Sequence, residues 1–259
     1  MNRLPALVGF LALVVSASTL VTPAHAGPPD SSSSSAAVAG GRQWSMLDRF
    51  AREAGREGDA DSGTYYPTIE HIRELQYRLR WAGVYTGPVT GYFGGLTREA
   101  VKRFQTRARL PVTGVATHAT WERLIPRTLR GKAAIRPQCR GEGWNLCYDR
   151  ARHQVTLWRA GSLWNAWLVR GGRRGLETRT GIFGVYWRDR DHISGLYGTP
   201  MPYSQFFFRG QAFHGSPFMV DPFVGHSHGC VNMYIEDSRQ LWKLTAGKRV
   251  DVRIYGAWD

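Results

Sequence analysis

Between Thr68 and Leu124 the apolar residues fall at helical spacing. Ile69, Ile72, Leu75 and Leu79 mark one face of a helix that Thr68 caps and Gly83 ends. A short echo follows. Pro88-Val89-Thr90-Gly91 leads to Thr97, and Pro111-Val112-Thr113-Gly114 leads to Thr120 at the same spacing. Each Pro-x-x-Gly predicts a turn, and each threonine is placed to cap a new helix. Glu99 and Glu122 are expected in the first turns, where a carboxylate favours the positive end of the helix dipole. Val101, Phe104 and Ala108 form the inward face of the second helix. These patterns predict a small three-helix bundle. Farther upstream, Trp44, Leu47, Phe50/Ala51 and Ala54 share one helical face over residues 44–54, with Ser45 as a cap.

From Cys139 onward the period shortens to two. Val155 and Leu157 alternate with Thr156 and Trp158; Trp164, Ala166 and Leu168 alternate as well. Residues 182–187 are β-branched and aromatic, and 206–208 and 212–214 follow between glycine breaks. This predicts a mainly antiparallel β domain. A helix near 236–246, with Ser238, Leu241, Trp242 and Leu244, stops at Gly247, and a last strand covers 250–254. The fold class is therefore multidomain α and β, a helical bundle followed by a β domain. Residues 27–41 hold Pro28-Pro29 and a serine run, and 126–137 are rich in proline and basic residues; both read as linkers.

At 259 residues and 42% hydrophobic content, the chain can bury more than one core. Arg3, an apolar run over residues 7–15 and Ala24-His25-Ala26 form the pattern of a secretory signal cleaved before Gly27. That run is shorter than the roughly 20 residues a membrane span needs, so no transmembrane segment is expected after cleavage. The expected division is 1–26 signal, 27–66 linker with a short helix, 67–126 helical bundle, 127–137 linker and 138–256 β domain. The net charge of +14 favours polyanions, which for an exported protein means wall polymers or lipid head groups. No nucleic-acid motif is present, so a nucleic-acid partner is not expected.

Three cysteines remain to be placed. Cys139 and Cys147 close a short loop turned by Gly141 and Gly143, and export permits a disulfide there. Cys230 is left over and flags a reactive thiol or an intermolecular bridge. It lies in His226-Ser227-His228-Gly229-Cys230-Val231-Asn232, about a dozen residues after His214-Gly215. An imidazole that takes the thiol proton makes a strong nucleophile. Gly229 has no side chain, so the successive N–H groups of Gly229 and Cys230 can approach a substrate oxygen and hold the charge formed on attack. A different reading is a tetrahedral zinc site from His214, His226, His228 and Cys230. The Gly229 break disfavours the regular strand it would need.

His214-Gly215 with Ser227-His228-Gly229-Cys230-Val231-Asn232 resembles the signature of the L,D-transpeptidase catalytic domain, the YkuD family. The resemblance implies Cys230 as nucleophile, His214 as base with the Gly215 carbonyl orienting its ring, and His228 close to the reaction. It implies that Ser227 and Asn232 hold the loop. Tyr203 stands where similar domains carry a pocket aromatic, with core packing as the alternative, and Trp187, Arg188, His192 and Tyr197 are further groove candidates from their residue types. Thr180-Gly181-Ile182-Phe183 looks like the family's turn into a central strand, although Arg179 stands where proline is frequent.

The bundle pattern runs from Glu74-Leu75-Gln76 through Gly91-Tyr92-Phe93-Gly94 and Thr97–Val101 to Phe104-Gln105 and Gly114. It resembles a peptidoglycan-binding domain of the three-helix type. That resemblance implies tethering to the wall, with Gln76 and Gln105 either meeting sugar and peptide amides or packing the helices. Together the two resemblances imply a secreted, monomeric wall enzyme without cofactor or metal. Its substrates would be peptidoglycan tetrapeptide stems as acyl donors and stem amines as acceptors. Water as acceptor would make it an L,D-carboxypeptidase, and a decayed catalytic domain would leave a non-catalytic wall-binding protein.

Overall fold

The computed structural model describes residues 69–258. The expected signal, the linker with its 44–54 helix and the Thr68 cap lie outside these residues. Helix α1 (Ile69–Trp81), α2 (Gly95–Ala108) and α3 (His118–Arg127) form the bundle. Leu75, Leu79, Val101, Phe104 and Leu124 close its core with Val84 and Tyr85. Gly83 ends the first helix at φ +68°, where a side chain would be strained. No described helix is long and apolar enough to cross a membrane.

The two threonines of the echo are not caps. Gly94 and Thr117 hold the N-cap positions without a side-chain cap bond, and Thr97 and Thr120 lie inside the helices, buried. Glu99 and Glu122 accordingly fall beyond the first turn. What the echo encodes is a pair of glutamine clamps. Gln76 Oε1 accepts the N–H groups of Thr90 and Gly91, while its Nε2 donates to the Tyr92 carbonyl and Thr97 Oγ. Gln105 repeats the arrangement. Its Oε1 accepts from Thr113 and Gly114, and its Nε2 donates to the Val115 carbonyl and Thr120 Oγ. Both amides are thus consumed inside the bundle, at 0% and 1% exposure, and neither faces a ligand.

The β domain has two sheets. Strands β1 (Trp144–Asp149), β2 (Gln154–Arg159), β3 (Ser162–Leu168), β4 (Gly181–Gly184) and β9 (Val250–Tyr255) form one, in the order β3-β2-β1-β9-β4. Strands β5 (Trp187–Ile193), β6 (Pro200–Phe208), β7 (Gln211–Gly215) and β8 (Val231–Met233) form the other, in chain order. Pairing is antiparallel except for β1 with β9 and β7 with β8. Residues 182–187 do not make one strand: the run divides into β4 and β5, which belong to different sheets. β4 is also an edge strand, bonded only to β9, and not a central one.

Helix α4 (Ile235–Leu244) packs on the four-stranded sheet. The main core lies between the sheets, with Leu146, Tyr148, Leu157, Trp167 and Val252 facing Phe207, Phe213, Val231, Met233 and Leu241. Alternate residues point the other way. Cys147 and Trp158 meet Ile135, Cys139 and Tyr255 on the far face of the five-stranded sheet. This second cover explains why β1 and β2 are buried almost throughout, where simple alternation predicts one wet face. Cys139 and Cys147 are joined by a disulfide within that cover.

Candidate active site

Parallel pairing of β7 with β8 sets Phe213 opposite Val231 and His214 opposite Asn232. Cys230 is one residue ahead of this ladder. Its side chain packs on Met201, Phe206 and Ala212. The β5–β6 hairpin therefore forms one wall beside the sulfur, and β7 forms the floor. Since side chains alternate along a strand, His214 and Ala212 share the face that Cys230 and Asn232 occupy.

His214 is buried, and its Nδ1 lies 2.8 Å from the Gly215 carbonyl oxygen. Donation from Nδ1 leaves Nε2 as the basic atom. Burial pushes the imidazole pKa down, and the Gly215 carbonyl pulls it back up. Repulsion from His192 lowers it further and a hydrogen bond with the Asn232 side chain raises it, for a result of about 4. Burial also raises the Cys230 thiol, against a smaller opposite effect of the Ala212 N–H. Both groups are thus neutral near pH 7. The thiol points at the Gly210 carbonyl, 3.7 Å away, and among the described residues no hydrogen bond joins Sγ to the His214 ring.

The turn that carries Cys230 is held by Ser227. Its Oγ donates to the Cys230 carbonyl at 2.6 Å and accepts the Gly229 N–H at 3.0 Å. This corrects the expected oxyanion pair, because the Gly229 N–H is already committed to Ser227. The Cys230 N–H has no partner among the described residues. Gly229 adopts φ +126°, and a Cβ there would lie 2.8 Å from Gln211 Nε2. Gly172 packs against Gly229 from the other side, where an added Cβ would come within 2.9 Å of its backbone. Close approach of backbone requires glycine at 172, and the positive φ favours it at 229.

The remaining residues singled out in the sequence are spread around this centre. His228 is exposed and stacks on Tyr197 at 4.5 Å, joining the hairpin loop to the Cys230 turn. His226 is exposed beside Trp258. Trp187 stacks on Phe206 at 4.4 Å, with His192 edge-on to both rings and within 3.0 Å of Asp189. Tyr203 turns its ring toward Trp242 of α4, at 6.3 Å, and Arg188 also lies over Trp242. Among the described residues no group of three His, Cys, Asp or Glu side chains is gathered to hold a metal ion.

Two supporting residues carried no local signal. Gln211 accepts the Arg179 N–H and donates to the Glu177 carbonyl, fastening that segment beside Gly229. Arg170 exchanges main-chain bonds with Asn232, and its guanidinium donates to the carbonyls of Phe218 and Val224. It thereby grips the loop that runs from His214-Gly215 to Ser227.

Two stretches of the chain match known families. Residues 68–124 match the family described as "Putative peptidoglycan binding domain", and residues 145–252 match "L,D-transpeptidase catalytic domain". A spore cortex-lytic enzyme of Bacillus cereus is 42% identical over 64 residues, which are 25% of this chain and 25% of that protein. The chain thus spans about a quarter of the length of the curated relatives it matches. Among solved structures, an L,D-transpeptidase from Stackebrandtia nassauensis is 23% identical with a TM-score of 0.49, covering 74% of this chain and 98% of that one. An L,D-transpeptidase from Xylanimonas cellulosilytica is 24% identical with a TM-score of 0.45, covering 71% and 92%.

Proposed function

We propose that this chain, which joins a peptidoglycan-binding domain to a domain of the L,D-transpeptidase catalytic family, is an extracytoplasmic cysteine acyltransferase that cross-links peptidoglycan stems. The observation that carries this reading is the placement of a half-buried thiol one residue ahead of the β7–β8 ladder. On that ladder His214 is oriented by the Gly215 carbonyl and kept neutral by burial.

In this reading a tetrapeptide stem enters between the β5–β6 hairpin and the Cys230 turn. The thiol leaves the Gly210 carbonyl, His214 Nε2 takes its proton, and Sγ adds to the carbonyl that precedes the terminal D-Ala. The Cys230 N–H faces the oxygen as it gains charge. The imidazolium returns the proton to the departing amine, D-Ala leaves, and a thioester remains. An amine of a neighbouring stem, deprotonated by His214, then resolves the thioester and forms the cross-link. General-base help of this kind is worth about 10²–10⁴-fold. Because both groups rest neutral, proton transfer accompanies attack rather than preceding it.

Water reaching the same thioester gives trimming in place of cross-linking, with the same residues. Mass spectrometry of muropeptides incubated with the purified chain tests both outcomes. Cross-linked dimers that are absent with Cys230→Ala are expected. Tripeptides alone would shift the assignment to an L,D-carboxypeptidase, and turnover that survives Cys230→Ala would remove Cys230 from the reaction.

A further inference from the structure

We propose that helix α1 of the peptidoglycan-binding bundle is a positioning element of the catalytic centre, acting through His71 and Tyr77, and not only a tether. The proposal rests on the reading of Cys230 as nucleophile and His214 as base. Between those residues runs the segment 216–226, and α1 holds this segment and the helix that follows Asn232.

The contacts are long-range and largely buried. Tyr77 Oη donates to Asp221 at 2.9 Å, and Arg73 reaches the same carboxylate at 3.4 Å. Tyr77 and Trp81 pack edge-on against Phe223, two residues farther on. His71 Nε2 lies 3.0 Å from Asp237 in the first turn of α4. Asp237 precedes Ser238, which packs so closely on Gly215 that a Cβ added to Gly215 would come within 2.6 Å of Ser238 Oγ. The Gly215 carbonyl is the group that orients His214. From α1 the contacts thus reach the base through Asp237, Ser238 and Gly215, and the Cys230 turn through Asp221, Phe223 and the loop clasped by Arg170.

The bundle supplies none of the reacting atoms, so its effect is on how often the thiol and imidazole are aligned. A misplacement of about 1 Å can cost 10²-fold in rate. Loosening either contact should therefore lower kcat while leaving KM for a small donor unchanged. A tether alone would do the reverse: it would matter only when the substrate is the intact wall.

The test uses the full chain with a soluble tetrapeptide stem as donor, too small to bridge both domains. His71→Gln and Tyr77→Phe are mild enough to fold, and thermal unfolding of each variant checks that they do. Tyr77→Phe and His71→Ala are expected to lower kcat by about tenfold with KM within about twofold. His71→Gln keeps a donor toward Asp237 and should recover most of the loss. Alkylation of Cys230 by iodoacetamide, the remaining thiols being in the disulfide, gives a second readout that needs no substrate, and it should slow in parallel. Folded variants with native kcat on the soluble stem, or losses confined to insoluble sacculi, would overturn the proposal. Turnover that persists in Cys230→Ala would instead overturn the function on which it rests.

Discussion

The Nδ1 of His214 lies 2.8 Å from the carbonyl oxygen of Gly215, its neighbour in the chain. This contact fixes the tautomer, while burial holds the imidazole pKa near 4. The base form therefore persists well below the ordinary histidine range. The acid limb of kcat/KM should fall near pH 4, with activity nearly flat from pH 7 to about 5. A pH–rate profile checks this, and a limb near 6.5 would contradict it. The sign for stability runs the same way. Above the unfolded value of about 6.5 the group has no effect, and as pH falls toward 4 the unfolded chain takes the proton first and the native state weakens.

Burial raises the Cys230 thiol, so the resting enzyme holds little thiolate at neutral pH. Iodoacetamide should add one label per chain, slowly at pH 7 and progressively faster above the ordinary thiol range. Intact mass against pH reads this directly. Rapid labelling that levels off below pH 7 would mean a preformed ion pair with His214.

Gly229 adopts φ +126°, a conformation strained for any side chain, and a Cβ there would also push the Gln211 amide aside. Gly229→Ala should strain the turn by about 1–3 kcal/mol. It should also displace the Cys230 N–H and lower turnover by about 10²-fold. Steady-state kinetics beside a melting curve separate the two effects.

Gln76 and Gln105 make the same four bonds in the two halves of the bundle. Replacing either by alanine strands buried N–H groups, at a cost of about 1–3 kcal/mol each. The two losses should be similar, because the geometry is. Denaturant titration of both variants tests this, and a loss of wall binding without a loss of stability would return the glutamines to a ligand role.

His71 behaves oppositely to His214. Burial alone would lower its pKa, but the Asp237 charge and hydrogen bond, with Glu74 and Glu236, raise it to about 9. The charged form stabilises the native state fully below about 6.5, and this stabilisation is lost as pH rises through 9. Its size is on the order of 3 kcal/mol. Chemical denaturation at pH 7 and pH 10 should show a drop in the native chain that is smaller in His71→Gln.

Much of this molecule could be read from short stretches. The thiol, the two histidines and the glycine lie within seventeen residues, so their shared chemistry left a dense local pattern. The repeat in the bundle was equally visible, but its meaning was not. Thr97 and Thr120 have the chemistry of caps, and only the packed structure shows that their hydroxyls face Gln76 and Gln105 instead. Residues 182–187 gave one continuous β signal because propensity says nothing of which sheet a strand joins. The partners of His71, Tyr77 and Arg78 lie from 50 to 166 residues away for the contacts outside α1. Such pairings are set by the packing of two domains, and no local period announces them.

Arg78 is fully enclosed, with its guanidinium shared between Glu74, Thr128 and the Ala166 carbonyl of β3. Cutting the chain between bundle and β domain would leave a carbonyl without its donor on one fragment and a naked ion pair on the other. Neither piece would be a fair sample of the whole. Grafting a different bundle onto this β domain would leave the same carbonyl unmatched, unless the graft brought an arginine to the same spot.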